Sequence, residues 1–107
     1  MKQGDVITVS LPGDYGKPRP ALVVQADIYA DLSSLTVLPF TSAKVNFERS
    51  RVAISPSSSN GLRVDSQIMV EKITTIARAK AGPTIGRLSP EDFVTVHRAL
   101  ALFLGFA

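Results

Sequence analysis

Pro18-Arg19-Pro20-Ala21-Leu22-Val23-Val24-Gln25 is the stretch from which the fold can be read. Its unbroken apolar run after Pro20 fits a strand buried on both faces, not one with a solvated side. Pro20 can stand only at the start of such a strand, because it has no N–H for a central ladder. Just upstream, Leu11-Pro12-Gly13-Asp14-Tyr15-Gly16-Lys17-Pro18 is dense in Gly and Pro and reads as a loop. Before that loop, Val6-Ile7-Thr8-Val9 is a β-branched strand candidate. Downstream, Leu35-Thr36-Val37-Leu38-Pro39-Phe40-Thr41 reads as a further strand, with Pro39 expected to mark a bulge or an edge near its end. Arg51-Val52-Ala53-Ile54 follows, then a polar turn from Ser55 to Gly61. Ser66-Gln67-Ile68-Met69-Val70 and Ile73-Thr74-Thr75-Ile76 are the last strand candidates.

The period changes at the C-terminal end. Ser89-Pro90-Glu91-Asp92 combines an N-cap serine, a proline at the first helical position and acids in the first turn. Phe93, Val96, His97, Leu100 and Leu104 then recur at helical spacing and should face the sheet. Many short strands followed by one helix predict a mainly β protein with a C-terminal helix. The expected architecture is a curled antiparallel sheet or small barrel with the helix closing one side.

A chain of 107 residues, 45% hydrophobic and 20% charged, suits one globular domain spanning 1–107. A domain of this size buries a modest share of its surface, so self-association is a reasonable expectation. The absence of cysteine excludes disulfides, thiolate metal sites and cysteine nucleophiles. Met1-Lys2-Gln3-Gly4-Asp5 has no apolar secretory core, and no apolar run approaches the roughly 20 residues that cross a bilayer. A soluble, cytoplasmic protein without a membrane partner is expected by elimination. The net charge of +3 suits a polyanionic partner.

The only histidine, His97, falls inside the helix, where a serine–histidine–acid triad is not served. No HExxH, CxxC, GxGxxG or Walker pattern occurs, so neither a metal nor a nucleotide cofactor is expected. What remains is Arg19, its backbone restricted by a proline on each side, which could present a guanidinium fork to a phosphate. A surface arginine paired with Asp5 or Asp14 accounts for the same letters. Thr41 ends a strand just before a basic loop and could hydrogen-bond a phosphate oxygen, although threonine is also ordinary in strands. That loop carries Lys44, Arg49 and Arg51 around Phe47, a composition that can track and stack single-stranded nucleic acid, or simply a solvated loop with one packed ring.

The stretch from Gly4-Asp5-Val6 through Arg19-Pro20-Ala21-Leu22-Val23-Val24-Gln25 resembles the opening of MazF/PemK toxins. Leu38-Pro39-Phe40-Thr41-Ser42 is similar to that family's second catalytic segment. Gly61-Leu62 with Ser66 to Ile76 matches a further block, and the Ser89–Leu104 helix closes the chain as in the family. The resemblance implies an SH3-like barrel of the MazF/CcdB kind, a homodimer, and a cognate antitoxin with an acidic disordered tail. It also implies a metal-independent endoribonuclease that cleaves single-stranded RNA through the substrate's own 2′-hydroxyl and inhibits growth. Arg19 and Thr41 take the places of the catalytic arginine and threonine; Lys17, Ser42, Lys44, Arg49 and Lys72 are the accompanying substrate-contact candidates. Lys72 stands where some relatives carry glutamine, and the loop 11–18 is shorter than in several of them. For the general base, Asp14 and Glu71 both stay open. A rival resemblance, to CcdB-type gyrase poisons, rests on residues 37–44 and the apolar tail 101–107. It implies a binder without catalytic residues; Pro18-Arg19-Pro20 and the lack of a terminal tryptophan stand against it.

Overall fold

The computed structural model describes every residue except Pro12, Asp14, Tyr15, Phe47, Glu48 and Ala107. Two residues weighed above, Asp14 and Phe47, therefore lie outside the described residues. Seven strands form one antiparallel sheet: β1 (Asp5–Val9), β2 (Arg19–Val23), β3 (Ser34–Thr41), β4 (Arg51–Ile54), β5 (Ser66–Met69), β6 (Thr74–Ala77) and β7 (Ala81–Arg87). A single α-helix, α1, spans Pro90–Leu104. The spatial order is β4-β5-β3-β2-β1-β7, with β6 also paired to β3. No ladder joins β4 to β7 among the described residues, so the expected curled sheet is not closed into a barrel.

The apolar run of β2 puts it in the middle of this sheet. Ala21, Leu22 and Val23 are 1% exposed or less, because both faces are covered. Alternation divides the core in two. Val6, Leu22, Leu38 and Ile68 form one layer beneath α1, reached by Val96 with Phe93, Ala99 and Leu100 beside it. Ile7, Ala21, Val23, Leu35 and Val37 form the other. Ser89 caps α1 by accepting from the Asp92 N–H at 3.1 Å, and Gly105 ends it in the left-handed region. The helix face is rotated from the expected stripe: Ala99 packs inward, whereas His97 and Leu104 are exposed. The His97 ring rests on Phe93 instead, with centroids 4.2 Å apart.

Pro39 sits in a central, buried strand and not at an edge. The Thr36 N–H donates to Gln25 Oε1 and its carbonyl accepts from Val24, so Thr36 directs its backbone toward β2. Alternation then turns Pro39 to the opposite side of β3. There the ladder lapses, between Val37↔Thr74 and Phe40↔Ile68. β5 and β6 act as one strand interrupted by a 3-10 turn, Val70–Lys72, that places three extra residues against β3. The residue without an N–H falls where no ladder partner is offered.

β7 has no counterpart among the strand candidates of the sequence. Ala81-Gly82-Pro83-Thr84-Ile85-Gly86-Arg87 lacks an alternating pattern and carries two glycines and a proline, which a sheet accepts at its edge. The segment 57–61 packs on this strand. Asn60, 2% exposed, organises it: its Oδ1 accepts from the Ser57 and Leu62 N–H groups and its Nδ2 donates to the Ser55 carbonyl. Gly86 is the close-approach residue, since a methyl there would overlap the Asn60 carbonyl. Gly61 has φ +72°, and a methyl on it would overlap the Ile85 carbonyl. Gly61→Ala should therefore cost about 2–3 kcal/mol, backbone strain adding to the clash. A lowered urea midpoint with an unchanged slope would show this, and an unchanged midpoint would refute it.

Candidate active site

The β2–β3 ladder pairs Ala21 with Pro39, Leu22 with Leu38 and Val23 with Val37. Beyond this ladder, at the same end of the two strands, β2 begins at Arg19 and β3 ends at Thr41. Both residues line a cleft of about 1160 Å³ at this end of the molecule. Ser42, Arg63 and Lys72 line it too, over an apolar floor that includes Leu62 and Met69. Three cations border the cleft and no Asp or Glu does, among the described residues. A concave surface of one sign concentrates the opposite charge and draws in anions.

Local structure aims these groups. Arg19 is paired with Val9 of β1, and Pro20 fixes the backbone after it. The Thr41 hydroxyl oxygen accepts from the Ala43 N–H at 3.1 Å, closing a small turn at the end of β3. That bond uses a lone pair and leaves the O–H free to donate outward. The loop beyond is strapped down by Gln67, which lies opposite Thr41 in the β3–β5 ladder. Gln67 Oε1 accepts from the Val45 N–H and Nε2 donates to the Val45 carbonyl, at 3.0 and 3.1 Å. The extra turn Val70–Lys72 carries Lys72 into the cleft lining.

Of the residues singled out from the sequence, Arg19, Thr41, Ser42 and Lys72 meet at the cleft. Lys17 and Arg49 are exposed outside its lining, and Lys44 lies 3.7 Å from Asp65. Asp5, a conceivable partner of Arg19, holds Arg87 at 2.7 Å. Glu71 is not among the cleft residues. Its two oxygens accept from Nε and Nη2 of Arg51, at 2.7 Å for the shortest bond, and Ser50 Oγ donates to it as well. The Arg51 hydrogen bonds hold the Glu71 carboxyl below its ordinary value; partial burial opposes them but does not prevail. A carboxylate so held is a weak proton acceptor. No group of three His, Asp or Glu among the described residues could hold a metal ion. Sequence reasoning missed Arg63 and Gln67. Gln67 sits in a block whose order was recognised, yet its amide bonds depend on a loop 22 residues away.

Residues 2–104 match the PemK-like, MazF-like toxins of type II toxin-antitoxin systems. The chain belongs to that family. A probable endoribonuclease MazF of Mycolicibacterium smegmatis is 40% identical over 108 aligned positions, covering all of this chain and 99% of its own length. Endoribonuclease MazF9 of Mycobacterium tuberculosis is 30% identical, over 97% of this chain and 96% of its own. Among solved structures, a mycobacterial endoribonuclease in complex with its cognate antitoxin superposes with a TM-score of 0.85 at 20% identity, covering 100% of this chain and 97% of that one. The Mycobacterium tuberculosis toxin MazF-mt6 gives 0.82 at 22% identity, over 96% and 98% of the two chains. This toxin thus has the MazF fold, with an open sheet and one C-terminal helix.

The Arg51–Glu71 pair joins β4 to the turn that delivers Lys72, so it tests the scaffold of the toxin's cleft. Because the folded-state pKa of Glu71 is lowered, its contribution is complete above the unfolded glutamate value. It is lost as pH falls through that value and then through the folded one. Glu71→Gln should destabilise the toxin by about 1 kcal/mol at pH 7, a partly exposed bidentate pair being screened by water. Parent and variant should converge well below pH 4.5, the ordinary glutamate value. Thermal melts across that range would measure the difference; a gap that stays constant with pH would contradict it.

Proposed function

We propose that this MazF-family toxin is a metal-independent endoribonuclease acting on single-stranded RNA, with Arg19 and Thr41 as catalytic residues. The supporting observation is the shared cleft: a guanidinium and a strand-end hydroxyl, with two further cations and no carboxylate among the described residues. In the reaction the substrate's 2′-hydroxyl oxygen bonds to the adjacent phosphorus and loses its proton. The bond from phosphorus to the 5′-oxygen breaks, and that oxygen takes up a proton. The products are a 2′,3′-cyclic phosphate and a 5′-hydroxyl. Arg19 stabilises the charge that grows on the phosphate, and the outward O–H of Thr41 donates to a nonbridging oxygen. Preorganised donors of this kind contribute about 2.7–4 kcal/mol each to the transition state. Arginine stays protonated and does not serve as the base; Glu71, held by Arg51, is unsuited to it.

The same reading makes the toxin a cytoplasmic homodimer held in check by an antitoxin. Exposed Leu102, Phe103 and Phe106 near the chain end, with Ile28, Tyr29 and Leu32 after β2, offer apolar surface for such contacts. An acidic antitoxin tail complements the cationic cleft. No helix among the described residues is long and apolar enough to cross a membrane. The gyrase-poison alternative is not favoured, because the family and the 40% identical relative both point to a MazF toxin.

Purified toxin incubated with a long single-stranded RNA in EDTA should yield discrete fragments with cyclic phosphate ends. Arg19→Ala and Thr41→Ala should each lower kcat by about 100- to 1000-fold with unchanged thermal unfolding. Thr41→Ser keeps the hydroxyl and should retain most activity. Undiminished cleavage by Arg19→Ala would remove the catalytic assignment. Intact RNA together with trapped, cleaved DNA–gyrase complexes would replace the nuclease with a poison.

A further inference from the structure

Arg63 is the third cation of the cleft, and nothing in the preceding mechanism uses it. It lies in the segment between β4 and β5, three residues before β5 begins at Ser66. Thr41 faces Gln67 across β3 and β5, while Arg19 opens β2 on the other side of β3. Arg63 and Arg19 both line the cleft, together with Gly61 and Leu62 of the same segment as Arg63.

The backbone at Arg63 is fixed, and its side chain is not. On one side the Leu62 N–H donates to Asn60 Oδ1 at 3.0 Å, and the Leu62 side chain is buried. On the other, Ser66 Oγ donates to the Val64 carbonyl at 3.0 Å. Between these anchors the exposed guanidinium makes no hydrogen bond or ion pair among the described residues. Several other cations of the toxin are engaged. Arg51 holds Glu71, Arg87 holds Asp5, Lys44 is near Asp65, and Arg78 donates to the Leu32 carbonyl. Asp65, the carboxylate nearest in sequence, is thus already engaged. An unpaired guanidinium on an anchored backbone, bordering a cleft with no carboxylate among the described residues, is a site for an anion.

We propose that Arg63 is a further substrate-binding residue, holding a backbone phosphate of the RNA in the cleft that Arg19 and Thr41 also line. This rests on the nuclease reading above. It puts Arg19 at the scissile phosphate and Arg63 at another phosphate of the same strand. Phosphate contacts position a strand without reading its bases, so the effect of Arg63 should be the same for different sequences.

Binding and turnover are to be measured separately. A fluorescent single-stranded RNA oligonucleotide of mixed sequence, methylated on every 2′-oxygen, has no attacking hydroxyl and reports binding alone. Arg63→Ala should weaken its binding about tenfold and reduce the slope of log K against log salt by about 0.7, one phosphate contact fewer. With cleavable RNA, KM should rise by about the same factor while kcat stays within about twofold. Arg63→Lys should recover most of the loss, since a phosphate accepts a point charge. Thermal melts of both variants should match the parent.

Parental binding and salt slope in Arg63→Ala, with cleavage intact, would overturn this proposal and leave the nuclease standing. Failure of the lysine to rescue would overturn the phosphate contact in favour of a base-reading guanidinium fork. Arg63-dependent oligonucleotide binding by a toxin that cuts no RNA would keep the anion site and defeat the nuclease. A toxin that neither binds nor cuts would defeat both.

Discussion

Ala21, Leu22 and Val23 face Pro39, Leu38 and Val37, and side chains on both sides of that ladder are buried. A slip of one residue would turn each apolar side chain of β2 to the wrong layer, so this pairing has a single register. Every placement at the cleft descends from it. Arg19 and Thr41 stand at the polar ends of these two strands, just beyond the last paired residues of the ladder. Core packing and the proposed chemistry are thus one constraint met at two ends of the same strands. Arg19 is also fixed from the other side, where its backbone pairs with Val9 of β1.

Around this register the molecule uses local polar anchors to hold irregular segments. Gln67 straps the loop after β3, Asn60 shapes the turn before Leu62, and Glu71 ties the 70–72 turn to Arg51. Each anchor takes a backbone that would otherwise be loose and gives it one position. None of them borders the site with a negative charge: Asn60 and Gln67 are neutral, and Glu71 is already paired. The cleft keeps its sign because the residues supporting it are amides or neutralised acids.

The fold class, six of the seven strands and the helix could be read from the chain, because their signals are local. The β-branched run 6–9, the apolar run after Pro20 and the capped start at Ser89 each need only their own neighbours to be interpreted. β7 escaped since its glycines and proline are explained only by what lies beside them: Gly86 is bare because Asn60 crosses it. Pro39, read as the mark of a bulge or an edge, lies in a central strand opposite an interruption of its partner, for a related reason. Its position depends on a turn 31 residues later that interrupts the partner strand. Arg19, Thr41, Ser42 and Lys72, singled out with the aid of family resemblance, all line the cleft, whereas Arg63, which lines it too, was not singled out. A cation is informative only when its lack of a partner is known, and partners are tertiary facts.

The interruption at Val70–Lys72 also limits how this chain can vary. Val70 is fully buried, Glu71 is held by Arg51, and Lys72 alone looks into the cleft. Length is therefore frozen while one letter is free. Losing a residue here would force either a tighter bridge across the gap or a half-turn of β6 that expels Ile76 from its layer. Exchanging the letter at position 72 disturbs neither. The excursion behaves as a socket of set depth into which different side chains can be fitted, so the cleft can be retuned by substitution at that point without reworking the sheet that carries it.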